Sequence, residues 1–384
     1  MLTLIKFWLH MRIKIITFLI ACACLPSCVT KEVLVECTQC QNKVVVNLSD
    51  YGIVNDGSVD CSSIINQIIS DLPSGGGIIQ FPSGVFRIES PITVSRNYVV
   101  LSGSYSIAED GTKILESTIK ASESNRAIHI PIIPDVNGRK NRISGVEISS
   151  LIIEGAAVGV LVEQDNDRIR IVDTFIKDCE TGFYVKAADA CVISGCSVID
   201  ADNALCFYGG IQNSIMDCTF STRNNGVPCK LERETNLIFS GNKCLTGASP
   251  VLSVTGCQKI NISKNRFEGR QYGLFDISGS YNTIMNNQID LLSSIDSQMG
   301  PYDVNYGAVA IQGDYNNFTQ NTISCQWNSE LDSPVTISVQ KGYRNRICNC
   351  TIADQNSDKV CYVTQSTEVL SSVEDVSKIY YIPQ

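Results

Sequence analysis

Segment 228–234 carries the densest group of side chains that could do acid/base chemistry. It reads Pro-Cys-Lys-Leu-Glu-Arg-Glu, so Lys230, Glu232 and Glu234 recur at every second position. Successive side chains of a β-strand point to opposite faces, and we therefore expect all three on one outer face. Two nearby carboxyl groups repel each other when ionised, so one holds its proton more tightly and could protonate a leaving glycosidic oxygen. The same pattern also fits an ordinary solvated strand face.

A recurring phrase predicts the element that holds these residues. It consists of an apolar residue, two small or polar residues, then Asn, Cys or Thr, any residue, and a second apolar residue. The central positions are Thr174, Cys196, Cys218, Asn242, Asn265, Asn287, Asn321 and Cys350. The first five steps between them are 22, 22, 24, 23 and 22 residues. This period, with β-branched residues and no helical pattern, indicates one coil of a parallel β-helix per repeat.

The repeat predicts an all-β fold, a parallel β-helix solenoid over residues 47–366. The recurring Asn and Cys residues are expected to point inward at a turn, where Asn side chains hydrogen-bond along the axis. Cys196 and Cys218 would then be close enough for a disulfide. Isoleucines at helical spacing in 61–71 predict a short helix that caps the N-terminal end. Residues 367–384 are expected to form a C-terminal tail or cap.

Residues at equal offsets from the rungs fall in columns on the outside of a stacked solenoid. Such columns could form a polar groove beside Glu232, with Tyr272 stacking on a sugar ring. Asp200 is a further catalytic candidate there. The loop 291–306 lengthens its coil and could form a wall of the groove or have no function. The predicted substrate-binding residues are Asp202, Arg223, Asn225, Lys230, Arg270, Tyr272, Asp303 and Tyr306.

Residues 1–28 resemble a lipoprotein signal. Their apolar run, 15–25, is too short to span a bilayer. It ends in Leu-Pro-Ser-Cys28, which resembles a lipobox with a lipidated cysteine, and Cys22 closes a second candidate lipobox. A cleaved signal without lipid is the alternative. We expect an exported protein, anchored by lipid in the periplasm or on the surface of a Gram-negative bacterium, with a linker over 29–46.

Composition excludes several classes of function. The net charge is -9, with no basic run beyond the N-terminal segment, so nucleic acid is not expected as a partner. His129 is the only histidine after the signal, which disfavours a Ser-His-Asp triad and histidine metal sites. It is expected on a strand face. Cys37-Thr-Gln-Cys40 lacks the partner motif of a zinc site, and no metal or cofactor is expected.

Two stretches resemble known proteins. Asn55-Asp-Gly, Asp60, the glycines from Gly75 and Phe81-Pro-Ser-Gly-Val-Phe resemble the start of the pectate-lyase-like superfamily of right-handed parallel β-helices. Farther along, three phrases resemble inulin fructotransferases and the related difructose anhydride hydrolases. They are Leu252-Ser-Val-Thr-Gly-Cys-Gln, Ser263-Lys-Asn-Arg-Phe-Glu-Gly-Arg-Gln-Tyr-Gly and Tyr306-Gly-Ala-Val-Ala-Ile-Gln-Gly-Asp.

The second resemblance implies a carbohydrate-active enzyme, a homotrimer with active sites between subunits. An Asp–Glu pair would act on the β-2,1 fructosyl linkage of a fructan-like oligo- or polysaccharide. The Glu would be Glu232 or Glu234. The Asp would fall on Asn225, which cannot ionise, so Asp200 or Asp202 would replace it, another glycan would be the substrate, or activity would be lost.

Two other functions stay open. A polysaccharide lyase acting on uronic acids could use Lys230 as its base, although the sequence lacks the dense Asp cluster of a Ca²⁺ site. A lipid-anchored solenoid that binds glycans without catalysis is the other alternative, favoured by Asn225.

Overall fold

The computed structural model describes residues 44–123, 125–135, 141–223, 226–246, 250–269, 274–292, 307–326, 335–355, 359–370 and 379–381. Residues 45–384 form one compact unit, and only Val44 of the other unit, residues 1–44, lies in the described part. No helix in these described ranges is both long and apolar enough to cross a membrane. The predicted signal and lipidation site at Cys28 lie outside them.

Three parallel sheets run along the described chain, and each regular coil gives one short strand to each of them. Sheet A comprises Val44–Asn47, Gly77–Phe81, Val99–Gly103, Glu147–Ser149, Arg170–Val172, Val192–Ser194, Ser214–Met216, Ile238–Ser240, Asn261–Ser263, Thr283–Met285, Asn317–Thr319, Arg346–Cys348 and Glu368–Leu370. Sheet B comprises Asp56–Asp60, Gly84–Ile88, Ser117–Ala121, Ile152–Glu154, Phe175–Lys177, Ser197–Ala201, Thr219–Thr222, Lys243–Leu245, Arg266–Gly269, Gln288–Leu291, Thr322–Gln326 and Thr351–Gln355. Sheet C comprises Ile92–Thr93, Arg126–Ile130, Val158–Val162, Thr181–Lys186, Asn203–Tyr208, Cys229–Glu232, Leu252–Gln258, Phe275–Ser280, Val309–Gln312, Val335–Lys341, Lys359–Val363 and Ile379–Tyr381.

The sheets extend slightly beyond the boundaries expected from the repeat. The first strand begins at Val44, before the predicted start at 47, and a 3-10 helix, Leu48–Tyr51, follows it. At the other end, the strands Glu368–Leu370 and Ile379–Tyr381 continue sheets A and C into the segment predicted as a tail.

The predicted rungs form the inward turn between sheets A and B. All eight side chains, from Thr174 to Cys350, are buried. Asn265 shows the pattern: its Oδ1 accepts from the backbone N–H of Asn242 at 2.8 Å, and its Nδ2 donates to Oδ1 of Asn287 at 2.9 Å. The residue before each rung has a left-handed backbone, such as Asp217 with φ 54°. This conformation turns the chain so that the rung side chain points into the core.

A second ladder, which the sequence analysis missed, lies at the corner between sheets C and A. Asn282 Oδ1 accepts from the backbone N–H of Ile260 at 3.2 Å, and Asn316 Oδ1 accepts from that of Asn282 at 3.1 Å. Asn345 extends the ladder by accepting from the backbone of Asn316 at 2.9 Å. Buried backbone groups are thus paired at two of the three corners, as a dry core requires.

Stacked apolar side chains fill the space between the sheets. Phe239 packs against the rings of Phe220 and Phe267, with centroid distances of 6.4 and 6.2 Å. The predicted capping helix spans Ser62–Asp71. It buries three of its four isoleucines, while Ile64 is 40% exposed. The helix therefore covers apolar surface that a terminal coil would otherwise leave exposed to water.

The cysteines in the described ranges have free thiols. Cys196 and Cys218 occupy adjacent rungs as predicted, yet they form no disulfide: the backbone N–H of Cys196 donates to Sγ of Cys218 at 3.4 Å. In turn, the N–H of Cys218 donates to Oδ1 of Asn242 at 3.0 Å. The thiol thus replaces an amide as the acceptor of a rung.

The rung hydrogen bonds predict a large difference between two asparagine substitutions. Asn265→Ala removes the acceptor of the Asn242 backbone N–H and the side-chain donor to the Phe239 carbonyl. The side chains of Asn242 and Asn287 each lose one hydrogen bond but keep another, to the carbonyl of Ile215 and from the backbone N–H of residue 265. Each unpaired buried group costs about 1–3 kcal/mol, so the free energy of unfolding should fall by about 2 kcal/mol or more. The control Asn261→Ala, at an exposed strand position, should change it by less than about 0.5 kcal/mol. Urea unfolding followed by circular dichroism measures both; equal losses would contradict a ladder that stabilises the fold.

Candidate functional site

The outer face of sheet C carries two rows of polar side chains whose register is set by strand pairing. One row runs through Tyr184, Cys206, Lys230, Ser253 and Asp276. The other runs through Lys186, Tyr208, Glu232, Thr255 and Ser278. Neighbouring strands lie about 4.8 Å apart, so consecutive members of a row can contact each other.

Lys230 and Glu232 lie side by side on this face, as the alternation predicted. Both side chains are half-buried, and the intervening Leu231 is buried in the core. Within the described ranges, neither has a side-chain hydrogen bond or an ion pair. A carboxyl group and an amino group are therefore both available to a ligand on sheet C.

Tyr208 and Arg233 flank Glu232 on one side. Tyr208 pairs with Glu232 across the strands, and its hydroxyl accepts a hydrogen bond of 2.9 Å from Nη1 of Arg233. The guanidinium carbon lies 5.5 Å from the centroid of the tyrosine ring. These contacts hold an aromatic surface and a positive charge next to the carboxylate.

Two neutral acids lie on one side of Lys230 in its row: Cys206 pairs with Lys230, and Tyr184 pairs with Cys206. Burial raises the pKa of the Tyr184 phenol. Burial raises the pKa of the Cys206 thiol to about 11, against the opposing effect of Lys230. Both groups keep their protons at neutral pH, so Cys206 cannot act as a thiolate nucleophile and Tyr184 can donate a hydrogen bond to a ligand.

A second group of charges lies farther toward the N-terminal end of sheet C. Glu163 forms an ion pair with Nζ of Lys186 at 3.4 Å and lies 3.7 Å from Nε2 of His129. Lys186 also lies 4.9 Å from the ring centroid of Tyr184. His129 lies on a strand face, as expected, and burial lowers its pKa. This carboxylate is already paired, in contrast to Glu232.

The predicted outward position of Glu234 is wrong: its side chain is buried, with 1% exposed. Arg233 has a left-handed backbone, φ 54°, which ends the strand alternation and turns the next side chain into the core. There Oε1 of Glu234 accepts from the backbone N–H of Gly210 at 2.8 Å and Oε2 from Nδ2 of Asn213 at 2.9 Å. In this coil, Leu237 occupies the position at which other coils have the asparagine of the second ladder. Glu234 provides the ladder hydrogen bonds in its place.

The structure does not bring Asp200, Asp202 and Arg223 to Glu232. Asp200 is exposed, and Asp202 Oδ1 accepts from Nε of Arg223 at 2.9 Å in an ion pair of its own. Tyr208 ends the strand Asn203–Tyr208 and pairs with Glu232, whereas Asp202 comes just before the start of that strand. Along the strand direction, Asp202 and Glu232 are therefore six residues, about 20 Å, apart. A glycosidase pair needs carboxyl groups about 5–9.5 Å apart, so Asp200 and Asp202 cannot be the partner of Glu232.

Five other predicted site residues, Asn225, Arg270, Tyr272, Asp303 and Tyr306, lie outside the described ranges. Within those ranges, the sheet C face has several members that the sequence analysis did not select: Tyr184, Tyr208, Arg233 and Asp276. Period-two alternation in 181–186 and 203–208 was the available signal, because it marks which residues of a strand face outward. The described residues contain no group of three or more His, Cys, Asp or Glu arranged to hold a metal ion.

Two protein-family models match parts of the chain. "Right handed beta helix region" matches residues 133–289, and "Rhamnogalacturonase A/epimerase, pectate lyase-like" matches residues 45–122. Together with the three parallel sheets, they confirm a right-handed parallel β-helix of pectate-lyase-like type. No curated protein sequence matched the chain.

The solved structures that resemble the chain include several of DFA-IIIase from Arthrobacter chlorophenolicus A6. The structure of that enzyme without its lid has 16% sequence identity, a TM-score of 0.73, and covers 88% of this chain and 97% of its own. A DFA-IIIase variant in complex with DFA-III has 14% identity and a TM-score of 0.73, with the same coverage. Geobacillus virus E2 ORF18 has 16% identity and a TM-score of 0.55, and covers 91% of this chain and 64% of its own. The distant resemblance drawn from the sequence therefore holds for the fold.

The buried carboxyl of Glu234 predicts a particular pH dependence of stability. Burial raises its pKa in the folded state, against the hydrogen bonds from Gly210 and Asn213 that lower it. The folded chain therefore holds this proton more tightly than the unfolded chain does. The stabilisation of the folded state by this bound proton is fully present at low pH. It is lost as the pH rises above about 4.3, the ordinary pKa of glutamate.

We expect the free energy of unfolding of the wild type, minus that of Glu234→Gln, to decrease as the pH rises from about 4 to about 7. Urea titrations of both proteins at each pH measure this difference. An increase with pH would contradict the assignment, because it would mean that the ionised form is the one stabilised by the ladder.

Proposed function

We propose that this protein is a carbohydrate-active enzyme that cleaves or transfers fructosyl linkages on the outer face of sheet C. The observation that carries the proposal is the half-buried Glu232, which has no ion pair in the described ranges and lies beside Lys230 and Tyr208. The likeness to DFA-IIIase structures, some of them bound to DFA-III or GF2, supports a saccharide substrate.

Glu232 acts as the general acid in the proposed reaction. It donates a proton to the leaving glycosidic oxygen while the bond from that oxygen to the fructosyl carbon breaks. Lys230 and Arg233 supply positive charge near the substrate oxygens, and Tyr208 and Tyr184 contribute ring surface and a hydroxyl donor. A water that passes a proton to a second carboxylate and attacks the fructosyl carbon completes hydrolysis, whereas a hydroxyl of the same saccharide, deprotonated in the same way, gives a cyclic difructose.

Asp276 is the candidate second carboxylate. It is half-buried in the row of Lys230, two strands farther along sheet C. Two strand spacings and a two-residue rise along the strand place the Cα of Asp276 about 12 Å from that of Glu232. Since both side chains point outward from one face, their carboxyl groups can approach the about 6.5–9.5 Å that suits an attacking water.

We also propose the cellular location and the assembly that the sequence predicts. The protein is exported and anchored by a lipid at Cys28 in the periplasm or at the surface of a Gram-negative bacterium. A homotrimer is the proposed assembly, by resemblance to the fructotransferases.

Matched glutamate substitutions test the proposal. The mature chain is incubated with inulin, levan, difructose anhydride and a panel of pectins, and the products are separated by anion-exchange chromatography. Glu232→Gln should lower the rate of fructoside cleavage at least about 100-fold, because the general acid is lost. Glu268→Gln changes a half-buried outward glutamate on sheet B and should retain the wild-type rate.

Full activity in Glu232→Gln would contradict the assignment of the acid. Unsaturated products from pectin, with no product from any fructan, would replace the proposal with a lyase. Glycan binding without products would replace it with a non-catalytic solenoid.

A further inference from the structure

A cavity of about 380 Å³ lies beside a hairpin that projects from the solenoid. The hairpin consists of the antiparallel strands Tyr105–Ile107 and Lys113–Leu115, inserted between sheet A and sheet B. The lining of the cavity includes Lys113, Leu115, Ile152, Asp173, Phe175 and Ser197. None of them belongs to the sheet C face, so this cavity is separate from the proposed catalytic face.

The floor of the cavity is a local apolar patch on the outside of sheet B. Ile152 and Phe175 are paired neighbours that point outward, and both are half-buried. The same row continues with polar residues, Ser197, Thr219 and Lys243. An outward aromatic ring therefore occurs here at the point where the row changes from apolar to polar residues, and the hairpin residue Leu115 lines the same cavity.

The rim of the cavity holds a fixed pair of opposite charges. Nζ of Lys113 donates to Oδ2 of Asp173 at 2.7 Å and to Oγ of Ser150 at 2.8 Å. It also lies 4.2 Å from the ring centroid of Tyr105. These contacts leave one ammonium proton and Oδ1 of Asp173 for a ligand. The hydroxyl of Ser197 has no side-chain hydrogen bond in the part of the chain that the structure describes.

We propose that this cavity binds one end of a neutral saccharide. The C–H face of a sugar ring packs on the ring of Phe175, and its hydroxyl groups bond to Lys113, Asp173 and Ser197. The volume is within the about 300–1,000 Å³ of small-molecule sites. A balanced Lys–Asp pair offers a donor and an acceptor but little net charge, which suits hydroxyl groups better than phosphate or carboxylate groups. The site is an accessory glycan contact and does not depend on turnover at sheet C.

Calorimetric titration of the mature chain carrying Glu232→Gln, with neutral fructo-, gluco-, xylo- and galacto-oligosaccharides, tests the proposal. Phe175→Ala should lower the measured number of saccharide-binding sites by one, or raise the dissociation constant of this site about three- to tenfold, because an aromatic contact is lost. Lys113→Met should weaken the same site. Phe175→Tyr, which keeps the ring, should retain it, and so should Lys243→Met, a control farther along the same row.

Saccharide binding that is unchanged by both Phe175→Ala and Lys113→Met would overturn the proposal, and so would a panel in which no neutral saccharide binds. Equal weakening by Lys243→Met would also overturn it, because the effect would not be local. Thermal unfolding of each variant shows whether the fold is intact, and Lys113→Met provides the reading if Phe175→Ala does not fold. Failure of the sheet C proposal would appear only in the product screen, since binding is measured here without turnover.

Discussion

The hydrogen bonds of the inward turns are the constraint on which the rest of this molecule depends. A single coil of about 22 residues cannot bury its own apolar side, so every coil needs its neighbours. Stacking buries turn amides that water can no longer reach, and each unpaired group would cost about 1–3 kcal/mol. Side chains such as Asn265 and Asn287 satisfy these groups and bond to each other, which fixes each coil on the next.

This register determines which side chains meet on the outside. Because rung residues hold successive coils at one offset, Tyr208, Glu232 and Thr255 follow each other across sheet C. No loop has to place these residues, since each lies on a strand whose inward neighbours are packed in the core. The carboxylate of Glu232 is thus held on a rigid face with an aromatic ring on the adjoining strand. Such a face suits a chemistry in which acid and substrate must keep a fixed geometry.

The sequence predicted the parts of the fold that repeat. The rungs from Thr174 to Cys350 and the outward positions of Lys230 and Glu232 follow from a period of about 22 residues and from strand alternation. Glu234 was placed on the wrong face because alternation ends where Arg233 adopts a left-handed backbone, and arginine gives no local signal for that conformation. The distance between Asp202 and Glu232 was missed for another reason. Counting offsets from the rungs does not show where a strand begins, so the length of the strand Asn203–Tyr208, which separates the two residues, was not taken into account.

In the proposed reaction, a substrate linkage lies on sheet C against Glu232. Crystals of Glu232→Gln soaked with an inulin-type oligosaccharide test it most directly, because the variant binds without turnover. We expect saccharide density along sheet C, with a glycosidic oxygen at hydrogen-bond distance, about 3 Å, from the side chain at position 232. Ordered saccharide bound elsewhere on the protein, with the sheet C face empty, would contradict it.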